Sequence, residues 1–226
     1  MDIRQTEFKS LVTASSSRID LWARVLCATK AQTAAEIGVW KGDFAKEMLE
    51  KCTQVRRYFL IDPWDSLSDW NKPFNVDTRA FHGIYAEAMT KTDFASDRRI
   101  VLRGRTQDVI EDIPDNCLDF AYIDGDHTLR GITIDLIRLL PKIKDGGVIG
   151  GDDFHLNPWQ HGKQFEPTLV CPFVVHFCEA MMLPIMALPF DQFVIQKTAD
   201  APFSFIDLTG TYKDLSLQEL FSGQIA

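Results

Sequence analysis

Three aspartates stand just after two apolar segments of the chain. Asp124 follows Leu118–Ile123, and Asp152 and Asp153 follow Val148–Ile149 after a pair of glycines. If the two segments are neighbouring parallel strands, their carboxyl ends bring the three side chains together. Carboxylate oxygens suit a hard divalent cation such as Mg²⁺. The pattern therefore predicts a metal site, with turn formation and helix capping as the alternative explanation.

A second chemical signal is the glycine-rich segment 35–44. Its glycines, Gly38 and Gly42, are spaced differently from the Gly-x-Gly-x-x-Gly pattern of dinucleotide-binding turns. Glu36 and Asp43 place negative charge where a pyrophosphate would be repelled. The segment therefore favours a ligand without phosphate, and a tight turn whose glycines serve only backbone geometry is the alternative.

Asp62 ends the apolar segment Tyr58–Ile61 and lies 24 residues after Gly38. This separation is close to the roughly 20 residues at which an acidic side chain reaches a pair of ribose hydroxyls in nucleoside-binding α/β folds. An aspartate that only begins a turn before Pro63 would look the same in the sequence. Together with the glycine-rich turn, Asp62 predicts recognition of a ribose.

Short apolar segments that alternate with helical patterns must position these side chains. The predicted strands are Thr33–Ile37, Tyr58–Ile61, Arg99–Leu102, Leu118–Ile123 and Val148–Ile149. Because these segments are too uniformly apolar to have a solvent-exposed face, they predict a parallel sheet with helices on both sides.

Further segments complete the predicted architecture. Amphipathic patterns predict one or two flanking helices over residues 5–29 and helices over 44–51 and 132–140. Segments 185–188 and 193–195 predict a hairpin that closes the sheet. Residues 64–97 and 154–172 interrupt the alternation, and long insertions at strand ends are usually functional.

Composition limits the class of partner. The chain has 226 residues, a net charge of -8 and 46% hydrophobic residues, which fits one acidic globular domain. This charge argues against nucleic-acid or anionic-membrane surfaces and favours a small molecule. Five cysteines without close pairing, no secretory signal and no long apolar run predict a reducing compartment, the cytoplasm.

Taken together, the motifs resemble those of class I S-adenosylmethionine (SAM)-dependent methyltransferases, within the O-methyltransferases of the catechol and macrolide-sugar types. The resemblance spans residues 33–197. It is carried by Glu36–Gly42, Ile61–Trp64, Thr106–Asp108, Ile123–His127 and Gly146–Asp153. It implies one Rossmann-like domain with a doubly wound, mostly parallel seven-stranded sheet and a C-terminal antiparallel hairpin. Its parts would be a helical flank or lid (1–30), a cofactor-binding core (31–197) and a tail (198–226).

The resemblance also implies roles for individual residues. Gly38 would face the methionine part of SAM, Asp62 the ribose, and Thr106 and Gln107 the adenine, although Thr106 could simply cap a helix. The full set implied to bind the cofactor is Glu36, Gly38, Trp40, Gly42, Asp62, Trp64, Thr106, Gln107 and Asp124.

The chemistry implied at the carboxylates is metal-assisted. Asp124, Asp152 and Asp153 would hold Mg²⁺ or a similar ion, which favours the ionised form of an acceptor hydroxyl. His127 takes the position of the lysine base of the catechol-type enzymes, and an imidazole can accept a proton near neutral pH. His127 and Asp124 are therefore the predicted catalytic residues, while a histidine that only caps or packs is the alternative.

The sequence thus predicts a SAM-dependent O-methyltransferase that acts on a hydroxyl of a small metabolite, such as a sugar or a natural-product scaffold. Its alternatives are a metal-independent methyltransferase of the same fold, a metal-dependent hydrolase that uses the Asp cluster, and a binding subunit without activity. The hydrolase would leave the turn at Glu36–Gly42 and Asp62 without a purpose. The acceptor and the oligomeric state, a homo-oligomer included, are left open.

Overall fold

One sheet of eight strands organises the computed structural model, which describes residues 1–199, 202–212 and 215–222. The strands are β1 Thr33–Ile37, β2 Arg57–Asp62, β3 Arg99–Arg103, β4 Leu118–Ile123, β5 Ile143–Gly151, β6 Pro184–Leu188, β7 Gln192–Gln196 and β8 Ser204–Asp207. The α-helices are α1 Thr6–Thr13, α2 Arg18–Ala28, α3 Asp43–Lys51, α4 Thr78–Lys91, α5 Thr106–Val109, α6 Leu129–Leu139, α7 Val170–Met181 and α8 Leu217–Ser222.

The strand order is β3-β2-β1-β4-β5-β7-β6-β8. Strands β1 to β5 run parallel, β7 pairs antiparallel with β5 and β6, and β8 pairs parallel with β6. From β1 the chain first builds outward through β2 and β3 and then returns to place β4 on the other side of β1. The carboxyl ends of β1 and β4 therefore form the switch point at which open α/β sheets bind ligands.

Two apolar cores cover the two faces of the sheet. One core joins α1 to α4 to one face and includes the fully buried Trp22 and Met48. The other joins α6 and α7 to the opposite face and includes Leu136 and Val174. Because both faces are covered, strands such as β1 are buried at every position, which is why they read as continuous apolar segments.

Side-chain caps fix where α2 and α6 begin. Ser17 precedes α2 and accepts a hydrogen bond from the Asp20 amide at 3.1 Å. Thr128 precedes α6 and accepts one from the Gly131 amide at 3.1 Å. Both caps orient the first turns of these helices at the carboxyl end of the sheet.

The predicted fold class is confirmed, and so are the two N-terminal helices, the five parallel strands and the hairpin. The strand count is corrected from seven to eight. The hairpin does not close the sheet, because β8 from the predicted tail adds outside β6 and buries Phe203 and Phe205 against the core. Of that tail, 198–226, residues 200, 201, 213, 214 and 223–226 lie outside the described residues.

The excursion predicted over 64–97 contains α4, and the one over 154–172 is irregular up to the start of α7. Among the described helices, none is both long and apolar enough to cross a membrane. The division into flank, core and tail stays a prediction.

Candidate functional site

A cavity of about 500 Å³ opens at the carboxyl ends of β1, β2, β4 and β5. This volume lies in the range of small-molecule sites. Ten of the twelve predicted site residues line it: Glu36, Gly38, Trp40, Asp62, Thr106, Gln107, Asp124, His127, Asp152 and Asp153. The switch point thus gathers side chains from five separate stretches of the chain.

The turn after β1 crosses directly over the end of β4. Gly38 has φ +83°, and a Cβ at this position would overlap the carbonyl of Asp124. Its amide donates to the carbonyl of Ile61 at 2.9 Å, while the Asp124 amide donates to the carbonyl of Ile37 at 2.7 Å. Glycine is therefore required here both for its conformation and for the close approach of two strand ends.

Asp62 fixes the shape of this turn. Its carboxylate accepts hydrogen bonds from the amides of Val39 and Trp40, both at 2.9 Å, and of Trp64 at 2.7 Å. Burial raises the pKa of Asp62, and these bonds to the ionised form counteract the increase. The residue lines the cavity and also organises the backbone around it, a second role that the sequence did not predict.

Glu36 is buried beneath the same turn. Tyr58 donates a hydrogen bond from its hydroxyl to Glu36 Oε2 at 2.9 Å. Burial raises the pKa of Glu36 well above its ordinary range, and the charges of Asp124 and Asp62 add to that effect. The cavity floor therefore favours the protonated form of Glu36 while no cationic ligand is beside it.

Thr106 and Gln107 form the first turn of α5 at the far side of the cavity. The helix cap is Arg105 and its side chain makes no capping bond, so the explanation of Thr106 as a cap is wrong. The Thr106 side chain instead hydrogen-bonds to Asp135 of α6. Burial raises the pKa of Asp135 to about 7, against the effect of that bond.

Gly42 and Trp64 lie outside the cavity lining, unlike the other residues predicted to bind the cofactor. Gly42 begins α3 with φ +76° and packs on Ala88. Trp64 is fully buried and donates from Nε1 to the carbonyl of Trp40 at 2.8 Å. Both residues support the turn from the side away from the cavity. The positive φ of Gly42 and the bulk of Trp64 fix the path of its backbone.

The three predicted metal ligands divide between two partners. Arg18, the first residue of α2, hydrogen-bonds from Nη1 to Asp152 and lies 3.3 Å from Asp124 Oδ2. Asp153 has φ +57° and turns its carboxylate to His127 Nδ1. The carboxylates of Asp124 and Asp152 therefore face a permanent cation, and that of Asp153 faces an imidazole.

These contacts do not fit a bound divalent ion. Asp152 Oδ1 accepts from Gln192 Nε2 at 2.5 Å and from the Asp153 amide at 2.9 Å, and its Oδ2 accepts from Arg18. Within the described part of the chain, no group of three or more His, Cys, Asp or Glu side chains has an arrangement that could hold a metal. The carboxylates lie close together, as the sequence pattern predicted. The pattern did not predict the guanidinium of Arg18 between Asp124 and Asp152.

His127 is the other charged centre of the site. Burial by itself lowers the pKa of His127, but its hydrogen bond with Asp153 and the charges of the three aspartates outweigh burial and raise the pKa to about 9. Its Nε2 has no hydrogen-bond partner among the described residues and lies 3.5 Å from Asp124 Oδ1. Burial, followed by the charge of Asp152, raises the pKa of Asp124 to about 7.

Aromatic side chains form the wall beside these groups. Trp40 packs edge-on against Phe74 and Phe81 with ring centroids 5.6 and 5.9 Å apart, and Phe74 also contacts His161 at 5.8 Å. Within the predicted insertion 154–172, His161 lines the cavity, whereas His155, Trp159, Lys163 and Phe165 do not. The wall can accept a flat or apolar molecule.

Three residues that contact the predicted site residues were missed in the sequence: Arg18, Asp135 and Gln192. Arg18 lies 106 residues from Asp124, and no local pattern connects the two. An arginine directly after a serine cap was the one available signal, because a cation is unfavourable in the first turn of a helix. Asp135 stood inside an apolar helical pattern, where a buried acid is uncommon.

Comparison with known proteins gives a family match and a set of structural matches. Residues 35–154, just over half of the chain, match the model of a family described as "Methyltransferase domain". No curated protein sequence matches.

Several solved structures share the fold. An O-methyltransferase from Bacillus cereus in complex with SAH has 16% identity, covers 85% of this chain and 88% of its own, and gives a TM-score of 0.58. The O-methyltransferase TomG from Streptomyces achromogenes, in complex with SAM, has 15% identity, coverages of 83% and 82%, and a TM-score of 0.58. The SAH-bound methyltransferase PaMTH1 from Podospora anserina has 15% identity, coverages of 87% and 83%, and the same score of 0.58.

Proposed function

Because this chain belongs to the methyltransferase domain family and is a SAM-dependent methyltransferase, we propose that it methylates a hydroxyl group of a small molecule, with His127 as the base. One observation carries the proposal. His127 lines the cavity at the switch point, and its buried Nε2 has no hydrogen-bond partner among the described residues. Asp153 contacts His127 Nδ1, and a carboxylate in this position orients the imidazole of such a base.

SAM would lie along the turn after β1. The residues proposed to hold it are those lining that side of the cavity: Glu36, Gly38, Trp40, Asp62, Thr106, Gln107 and Asp124. The acidic lining suits a cationic sulfonium and an ammonium group, and no phosphate needs to be accommodated. The relatives TomG and PaMTH1, solved with SAM and SAH, support this cofactor.

SAM supplies the methyl group, and the chain's own residues handle the proton. In the proposed step, the acceptor oxygen would take the methyl group with the sulfur of SAM as the leaving group, and His127 Nε2 would accept the hydroxyl proton. Asp153 stabilises the imidazolium that results, because its carboxylate is hydrogen-bonded to Nδ1 and stays ionised. Burial alone would raise the pKa of Asp153, but that bond keeps it below its ordinary range.

Asp124 contributes charge beside the reacting atoms. Its carboxyl lies between His127 and Arg18, so it can stabilise either the sulfonium or the protonated imidazole. The pairing of Asp124 and Asp152 with Arg18 favours the metal-independent form of the reaction over the metal-assisted form. A hydrolase would have no use for the Gly38 turn or the amide-bonded Asp62.

The acceptor proposed is a small hydroxylated metabolite with an apolar or aromatic face. The rings of Trp40, Phe74 and Phe81 supply a wall for such a face. A natural-product scaffold fits this wall better than a free sugar, because a sugar presents mostly hydroxyls.

Calorimetric titration with SAM, followed by mass spectrometry of a panel of phenols, alcohols, amines and thiols, tests the proposal. We expect saturable SAM binding and a mass gain of one methyl group on at least one acceptor. Absence of heat at high micromolar SAM would remove the cofactor assignment. Methylation confined to amines or thiols would remove the hydroxyl acceptor while keeping the enzyme class.

A further inference from the structure

Arg18 is in a place that helix physics disfavours. It is the first residue of α2, directly after the Ser17 cap, where the positive end of the helix dipole repels a cation. The same turn has Asp20 at the position that the dipole favours. The location of Arg18 therefore needs compensation from outside the helix.

That compensation comes from the ends of β4 and β5. Nη1 hydrogen-bonds to Asp152 Oδ2 and lies 3.3 Å from Asp124 Oδ2, so one guanidinium nitrogen joins two carboxylates that would otherwise repel each other. Burial alone would lower the pKa of Arg18, but Tyr122 and the two carboxylates raise it. The guanidinium is thus a permanent cation in the acidic corner of the cavity.

One helical turn later, Trp22 holds α2 in register. Its indole Nε1 donates to Gln192 Oε1 at 2.8 Å, and Gln192 Nε2 donates to Asp152 at 2.5 Å. The ring lies so close to Gly150 that any Cβ there would overlap it. Arg18 is therefore placed by a buried contact and not by a freely rotating surface side chain.

We propose that Arg18 is the resident cation of this site and takes the place that a divalent metal would need between Asp124 and Asp152. Removing it converts the acidic corner into a metal-binding site. The inference extends the proposed function to the charge balance of the site, but its test measures metal binding and does not depend on methyl transfer.

The charges explain why the two states exclude each other. A divalent ion between the two carboxylates would lie within a few ångströms of the guanidinium and be repelled by it. It would also compete with the bonds from Gln192 and the Asp153 amide for Asp152 Oδ1. Without the Arg18 side chain, no guanidinium joins the two carboxylates, and a pair of close carboxylates is an arrangement that hard divalent ions neutralise.

Titration with Mn²⁺, followed by calorimetry and by the loss of the free-ion electron paramagnetic resonance signal, tests the inference on the purified full chain. The variants are Arg18→Ala, Arg18→Lys, Asp152→Asn and the double variant Arg18→Ala with Asp152→Asn. Arg24→Ala is the matched control, since Arg24 is on the same helix and pairs with Asp20 at 2.9 Å, away from the cavity.

We expect no stoichiometric Mn²⁺ binding by the wild type, Arg18→Lys or Arg24→Ala. Arg18→Ala should bind one ion about tenfold or more tightly than the wild type, because the repelling charge is gone. The double variant should lose that gain. Mn²⁺ should also raise the melting temperature of Arg18→Ala and of no other variant.

Two results would overturn the inference. One is a wild type that binds one Mn²⁺ and loses it on Asp152→Asn, since Arg18 would then coexist with the metal. The other is a folded Arg18→Ala that gains no affinity. If Arg18→Ala fails to fold, the Mn²⁺ titrations of the wild type and of Asp152→Asn still test the inference, because the first of the two overturning results requires no variant of Arg18.

Discussion

His127 is oriented by Asp153 through Nδ1, and its Nε2 has no hydrogen-bond partner among the described residues. The same contact that orients the ring also raises its pKa to about 9. A base must be neutral to accept a proton, so at neutral pH only a small fraction of the enzyme is ready. The contact with Asp153 limits that fraction, and it also stabilises the imidazolium after proton transfer.

The rate of methyl transfer should therefore rise with pH, by up to tenfold for each pH unit, until it levels off near 9. His127→Ala should lower kcat about 10²-fold or more and flatten the profile. Asp153→Asn should move the rise to lower pH, because the bond that raises the pKa is weakened. Initial rates between pH 6 and 10 measure all three profiles.

His155→Ala is the control for this series, since His155 is exposed and lies outside the cavity lining. SAM affinity should change little in each variant. A His127→Ala enzyme with the wild-type rate and profile would exclude His127 as the base.

At the scale of elements, α2 connects the N-terminal flank to the reacting end of the sheet. Trp22 is fully buried, packs on Phe120 and Tyr122 with centroids 5.5 and 5.4 Å away, and hydrogen-bonds to Gln192. Trp22 thus anchors the segment predicted as a helical flank or lid to the core. Its movement would require Trp22 to leave its site beside Gly150.

Trp22→Ala should lower the free energy of unfolding by about 3–5 kcal/mol, the usual loss for a buried tryptophan. It should also weaken SAM binding, because Asp124, one of the residues proposed to hold SAM, loses the contact with Arg18 that fixes its position. Urea unfolding followed by circular dichroism measures the first effect and calorimetry the second.

Trp159→Ala serves as the matched control, since Trp159 is 42% exposed. It should stay within about 0.5 kcal/mol of the wild type. If Trp22→Ala matched that control, α2 would be only loosely attached.

Elements could be predicted from the sequence where one physical pattern determines them. The buried strand β1 was predicted to the residue, because both of its faces are covered and every side chain is apolar or bound. β8 was missed because only a few of its residues reach the core. The helix α2 was predicted, but the contact of its Arg18 with Asp124 and Asp152 was not. Arg18 and Asp124 meet only through tertiary packing, and periodicity carries no information about such a pair.

For the whole molecule, several groups bind protons more tightly in the folded state than in the unfolded state. The pKa values of Asp124 and Asp135 rise from 3.8 to about 7, and that of His127 rises from 6.5 to about 9. For the two acids, folding favours the protonated form, so stability is lost as pH rises from about 4 to 7. For His127, stability is full below 6.5 and is lost as pH rises to about 9.

The melting temperature should therefore fall steadily from about pH 5 to pH 9, because each of these groups must give up a proton that the folded state holds. A group whose folded-state pKa is higher by one than its unfolded-state pKa contributes at most about 1.4 kcal/mol, and solvent screening reduces that value. Differential scanning calorimetry in buffers of equal ionic strength measures the trend. Asp135→Asn should remove the share of the fall in melting temperature between pH 4 and 7 that this carboxyl causes.

A melting temperature that rises between pH 6 and 9 would contradict the assigned directions. Carboxylates with lowered pKa values, such as Asp119 beside Lys144, act only in more acidic solution and do not disturb this window.

The position of Trp40 on the cavity wall gives the site an optical reporter. Trp40 and Trp70 line the cavity, while Trp22 and Trp64 are buried in the core. A purine stacked or packed near an indole quenches its emission, so ligand occupancy changes the intrinsic fluorescence of the unlabelled chain. Replacing Trp40 and Trp70 by phenylalanine one at a time would divide that signal between the glycine-turn side and the insertion side of the pocket.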